Sequence, residues 1–234
     1  MSVSILINQG NSAHATERFV EAARYALLRR LAPAIRHNMA GGLQPISMIA
    51  AMLEKRLQVP SPDFSVIARN AAAMNTLARE AAASCMDLMT WLAPKDNAVV
   101  AVNAGIADAI GLIATDLSFR GFTVVNETTE VDAFVSCNVL RIVLMASLIT
   151  LTDEFEAPAN VVLTSKLLAG GATTLVDIRL VKTESEVMTG GGMSAYRKLE
   201  WPDVEALAQS EAAGLAHTDS SAQLRLPVQT VVAV

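Results

Sequence analysis

Aromatic side chains are scarce in this sequence. They make up 4% of 234 residues, while hydrophobic residues together reach 52%. Such an Ala-, Leu-, Val- and Met-rich composition favours helices that pack through small side chains. Cysteine is nearly absent too. Cys85 and Cys137 are the two, neither has a partner at metal-ligand spacing, and two are too few for a disulfide framework. A reduced, cytoplasmic compartment fits, and no metal site is expected. An excess of positive charge is also lacking: the formal net charge is -5, which argues against a nucleic-acid binder. Long apolar runs are missing. Ile142 to Leu151 is the most apolar stretch and is too short to span a bilayer. The opening MSVSILINQGNS has neither the basic start nor the apolar core of a signal peptide. No membrane partner is expected, so a signal reaches this chain through another protein.

What is present is a long amphipathic pattern, LAPAIRHNMAGGLQPISMIAAMLEKRL, from Leu31 to Leu57. Leu31, Ile35, Met39, Leu43, Ile46, Ile49 and Leu53 recur at steps of three and four and form one apolar stripe. At about 100° per residue, His37 points away from that stripe and into solvent. Its neighbours on the outer face are Pro33, Ala40, Gly41 and Gln44, three of which leave little side chain in the way of a partner. Arg18, Arg24, Arg29, Arg30 and Arg36 precede His37, against Glu17 and Glu21. Two readings of that run are open: a solvated helix face, or a basic rim that draws an acidic partner to His37.

The rest of the chain sets the organisation. Residues 1–15 read as a flexible or extended arm. Helix follows from about Thr16, with bends expected at Pro33 and Pro45. The turn is Lys55 to Pro62, and Ser61, Pro62 and Asp63 start a second helix. Its heptad pattern runs through Phe64, Ile67, Ala71, Met74, Ala78, Ala81, Cys85, Leu88 and Leu92. Residues 16–93 thus form an antiparallel helical hairpin. One hairpin leaves apolar surface unburied, and two packed as a four-helix bundle would cover it, so a homodimer is expected.

A boundary falls at Pro94 to Ala98, and residues 99–234 change pattern. A helix is expected over Gly105–Arg120 closed by Gly121, a strand over Phe122–Asn126, and a helix capped by Asn138 to about Thr152. Strands Asn160–Leu168 and Thr173–Lys182 flank a Gly170-Gly171 turn. Residues 183–200 read as mobile. A helix starts at Trp201-Pro202-Asp203 and runs to about Ala216, and Ala222–Val232 is a last strand, with Pro227 marking an edge position or a break. The fold class is α+β: a long helical hairpin followed by a two-layer α/β sandwich.

The stretch IRHNMAGGLQPISMIAAMLE resembles the phosphoacceptor helix of two-component histidine kinases and histidine phosphotransferases. There a His is followed by a polar or acidic residue, an apolar one, a small or polar pair and Leu, places held here by His37, Asn38, Met39, Ala40 to Gly42 and Leu43. About residues 99–230 resemble the ATP-binding domain of those kinases, in degenerate form. Near Thr150, within LITLTD, the family has an Asn that helps bind Mg²⁺. After TTLVDIRLV it has an Asp-x-Gly-x-Gly turn, where this chain has KTESEV. Gly190 to Gly192 read as a lid remnant; no Lys-Ser or Lys-Thr follows them. Active kinases commonly place Glu or Asp after the His; Asn38 cannot take up a proton at neutral pH.

The combination resembles the dimeric histidine phosphotransferases of the ChpT kind. The resemblance implies phosphoryl transfer through His37 between aspartates of response-regulator receiver domains. Arg36, Asn38, Gly41 and Gln44 would support the imidazole or dock the partner. No cofactor is implied for this chain, the Mg²⁺ belonging to the receiver. Two alternatives stand beside this: a divergent histidine kinase that still binds ATP, and a non-enzymatic adaptor or inhibitor of a two-component partner.

Overall fold

The computed structural model describes residues 2–92, 98–128, 131–184 and 197–230. The chain divides into two compact units. One is Ala32–Lys95; the other joins Met1–Leu31 to Asp96–Val234. The expected hairpin of residues 16–93 is therefore shortened at its start, because residues up to Leu31 belong with the second half of the chain.

Helix α1 runs Ser2–Leu57 without a break and includes Pro33 and Pro45. Neither proline restarts it. Each removes one N–H and crowds one carbonyl, that of Arg29 or Gly41, and the turns on both sides carry the helix through. The arm expected at residues 1–15 is corrected by the same element, since helix begins at Ser2. No proline stands before Pro33 to stop a helix already formed downstream from propagating toward the N-terminus.

In the unit Ala32–Lys95, α1 is followed by a short turn and α2, Phe64–Leu92. Asp63 caps α2. Its Oδ1 accepts from the backbone N–H of Ser65 at 2.9 Å and of Val66 at 3.2 Å, and from the Ser65 hydroxyl at 2.7 Å. The helices run antiparallel, with Met52 beside Asn70 and Gly42 beside Ala81. A Cβ on Gly42 would lie 3.8 Å from that of Ala81, so the missing side chain lets the helices approach closely. Gly42, Ile46, Ile49 and Leu53 form the half-buried seam with Ile67, Met74, Leu77 and Ala81. The expected stripe is corrected at two places: Met39 and Leu43 stay exposed, because the seam turns about Gly42.

The other unit is a sheet covered by helices. Strands β1 (Val99–Ala101) and β3 (Phe134–Ser136) pair antiparallel as a small ladder. Helix α3 is Val102–Phe119, and Gly121, at φ +87°, turns the chain into β2, Phe122–Asn126. After β3 come α4 (Cys137–Val139), a π-helical turn over Leu140–Leu144, and α5 (Met145–Glu154). The cap position is Ser136 rather than Asn138. Strands β4 (Ala159–Leu167) and β5 (Thr173–Lys182) form the expected hairpin, with Gly170 and Gly171 both at positive φ. Helix α6 (Trp201–Ser210) has Glu200 and Asp203 in a reciprocal capping box. It ends earlier than expected, Ala212 turning left-handed, and β6 (Gly214–Thr218) and β7 (Ser221–Pro227) follow.

The main sheet has order β2-β4-β5-β7-β6, with β2–β4 parallel and the other pairs antiparallel. β7 is thus not an edge strand. Pro227 pairs with Thr173 at the strand's end, beyond the last β6 pair, Gly214 with Arg225, so its missing N–H interrupts no ladder there. One sheet face is the core: Val161, Leu163, Val176, Ile178, Ala222, Leu224 and Leu226 are buried on alternate positions. Helix α3 is apolar and long enough to cross a membrane by composition, yet Ile106, Ala109, Leu112, Ile113 and Leu117 are buried, as in a core helix. The stretch expected to be mobile, with Gly190 to Gly192, falls mostly on 185–196 and so lies outside the described residues.

Candidate functional site

His37 is exposed on α1, within the unit Ala32–Lys95. Arg36, Asn38, Gly41 and Gln44 are exposed with it. Helical phase sorts them. Gly41 and Gln44, four and seven residues on, share the His37 face, whereas Arg36 and Asn38 diverge from it by about 100° to either side. Among the described residues, no hydrogen bond or ion pair joins the side chains of Arg36, His37, Asn38 or Gln44 to a partner. A Cβ at Gly41 would meet nothing within 4 Å. The imidazole therefore stands beside cleared helix surface.

Further along the same face Met48 and Met52 are exposed. They give the site an apolar margin that the sequence reading passed over; their phase, close to that of His37, was the available signal. A second apolar margin lies elsewhere. Met39, Leu43 and Leu57 of α1 and Phe64, Met86 and Met89 of α2 are exposed. Both sets are rotated in the same sense from the seam. On antiparallel helices that brings them to one side of the hairpin, away from His37.

The other two histidines have different surroundings. His14 lies on α1, not in a loose arm, with Nδ1 3.6 Å from Glu17 Oε2. His217 is on β6, its ring stacked on Trp201 with centroids 3.9 Å apart. Its Nε2 is 3.7 Å from Glu205 Oε1. Trp201 in turn donates from Nε1 to Glu154 at 2.8 Å.

Thr150, matched to the nucleotide-helix Asn, is wholly buried, and its hydroxyl has no hydrogen-bond partner. Every residue of α5 from Met145 to Thr152 is buried. Position 150 of this helix therefore presents no side chain to solvent. Among the described residues, no cluster of three or more His, Cys, Asp or Glu could hold a metal ion.

No protein-family model matches the sequence, and no curated protein matches it. Among solved structures, the histidine kinase AdeS of Acinetobacter baumannii is similar, at 13% identity and TM-score 0.44, over 78% of this chain and 96% of that one. A crystal structure of the histidine kinase ThkA in complex with the response regulator TrrA is similar at 12% identity and TM-score 0.43, over 93% of this chain and 66% of that one. The blue-light activated histidine kinase EL346 of Erythrobacter litoralis follows at 14% identity and TM-score 0.40, over 78% and 63%. These are likenesses of outline and carry no assignment of activity.

Proposed function

We propose that this protein is a cytoplasmic histidine phosphotransferase of a two-component phosphorelay, with His37 as the phosphoacceptor. The observation that carries the reading is the solvent-exposed, unpaired His37 on a long helix, beside the open surface at Gly41. A ring nitrogen of neutral His37 attacks the phosphorus of a receiver's aspartyl phosphate. The P–N bond forms as the P–O bond to the carboxylate breaks, and the aspartate leaves as its anion. The reverse step passes the phosphoryl group to a second receiver. Positioning supplies most of the rate, and little covalent machinery is asked of this chain.

Response-regulator receiver domains are the proposed partners. One similar structure, that of ThkA, holds a response regulator; for this chain the same class of partner is our reading. Met48, Met52, Gly41 and Gln44 would form the docking margin beside His37, with Arg36 at its flank and Asn38 across the helix from Arg36. The opposite apolar flank, Met39, Leu43, Phe64 and Met86, suits a second copy of the hairpin, giving a four-helix bundle in a homodimer. The burial of Thr150 and of α5 weighs against an ATP-using kinase.

The test is incubation with purified phosphorylated receiver domains and detection of acid-labile, base-stable phosphate on this chain. His37→Gln should abolish it; His14→Gln and His217→Gln should not. Phosphate retained by His37→Gln would remove the central residue from the reading. No transfer from any receiver would favour an adaptor that only binds and blocks.

A further inference from the structure

Three helices of the unit formed by Met1–Leu31 and Asp96–Val234 end on a carboxylate. Asp116 lies in the last turn of α3, Asp153 in the last turn of α5, and Glu211 caps α6. A helix C-terminus already carries partial negative charge and favours cations. None of the three has a basic residue in its last turn. Left alone, these ends would set like charge against like.

The offset comes mainly from α1. Arg30 Nη2 donates to Asp153 Oδ1 at 3.1 Å, and Arg30 Nη1 is 3.8 Å from Asp116 Oδ2. Arg24 Nη2 donates to Glu211 Oε1 at 2.9 Å. Arg120 completes the group, bonded to Asp153 and 3.8 Å from Asp116. The Arg30 and Asp153 side chains are 13% and 10% exposed, so salt screens them less than a surface pair. Burial pulls the Arg120 pKa down, Asp153 opposes that shift, and the like charge of Arg30 adds to it.

Beside the arginines, α1 buries Val20, Ala23, Ala26, Leu27 and Leu31, a stripe of its own. The stripe stops at the unit boundary after Leu31, and Pro33 follows inside the helix. The clasp is also incomplete: the Nε atoms of Arg24 and Arg30 are buried and find no acceptor.

We propose that residues 20–31 of α1 form a releasable strap, held across the ends of α3, α5 and α6 by the Arg24 and Arg30 clasp. The device goes beyond the relay reading and stands without it. It is built into the same helix that carries His37, seven residues beyond Arg30, so anything that opens the strap acts on that helix.

The experiment is amide hydrogen exchange on the full-length protein, at low and high salt, comparing Arg30→Met, Arg24→Met and Arg30→Lys with the parent. The expected result is at least tenfold faster exchange of residues 20–31 in Arg30→Met, a smaller gain in Arg24→Met, and near-parental protection in Arg30→Lys. High salt should move the parent the same way. Amides of β4 and β5 should keep their protection throughout. Unchanged exchange of residues 20–31 in both Met variants would overturn the proposal. So would equal loss of protection in β4 and β5, since the segment would then be fixed core rather than a strap.

Discussion

The hairpin Ala32–Lys95 and the unit of Met1–Leu31 with Asp96–Val234 use apolar residues in opposite ways. In the second unit, Leu144, Met145, Val161, Ile178 and Leu224 are wholly enclosed by their own chain. In the hairpin, Ala81 is the one buried residue among those described, while Phe64 is 70% and Met86 67% exposed. A sheet with helices on it closes a core by itself. Two helices share a single seam, and the flanks of that seam stay wet until something else covers them. The α/β unit closes its own core; the hairpin leaves its apolar flanks uncovered.

Five substitutions break or sharpen that contrast. The largest effect belongs to the closed core. Leu144→Ala should cost about 2–5 kcal/mol, the usual loss for a Leu removed from a core that cannot collapse, read as a shifted urea midpoint. Leu43→Glu in the hairpin should leave the midpoint of the α/β unit in place and instead weaken self-association. In the proposed homodimer, covering this leucine would be worth about 1.5–3 kcal/mol, so the variant should raise the dissociation constant by roughly tenfold to a hundredfold in sedimentation equilibrium. A variant that sediments as the parent does would mean that this flank covers no second copy.

Two glycines give a matched pair of smaller effects. A Cβ at Gly105 of α3 would fall 2.4 Å from Leu140 Cδ1 and 2.9 Å from Val100 Cγ1. Gly105→Ala should destabilise by about 1–3 kcal/mol through overpacking. Gly41→Ala, with open space around it, should stabilise its helix by up to about 1 kcal/mol, since alanine is the better helix former. Thermal melts of the two variants should move in opposite directions.

The smallest effect is at the cap. Hydrogen bonds from the Ser65 side chain and the Val66 backbone hold the Asp63 carboxyl below its ordinary range. A depressed carboxylate pKa stabilises the folded form above the unfolded value and loses that help as pH falls through the folded value. The parent should therefore lose a little helicity as pH drops below about 4, and Asp63→Ala should show less of that slope by circular dichroism.

How much of this was legible in the sequence follows from how local each signal is. The period-two alternation of β4 and β5 about Gly170-Gly171, the closing Gly121, the start at Asp63 and the outward phase of His37 rest on a few neighbouring residues, and each could be read there. The strands β1, β3 and β6 could not: three to five residues carry too little periodicity, and their pairing partners lie far along the chain. Asn138 has the residue type of a cap, but the chain enters its helix two residues earlier from β3, after Ser136. For the site, the sequence located His37 and the small residues around it. It did not separate Met39 and Leu43 from the seam, because that depended on where Gly42 met Ala81.

By itself, then, the sequence determined the helical hairpin, the α+β order and the solvent-facing histidine, since all three follow from spacing along one strand or helix. The tertiary structure alone decided that α1 continues through Pro33 and Pro45 and that its residues up to Leu31 belong to the α/β unit. The physical reason lies in the partners. Arg24 and Arg30 look like any solvated arginines until Glu211, Asp153 and Asp116, all of them far along the chain, are folded back to meet them.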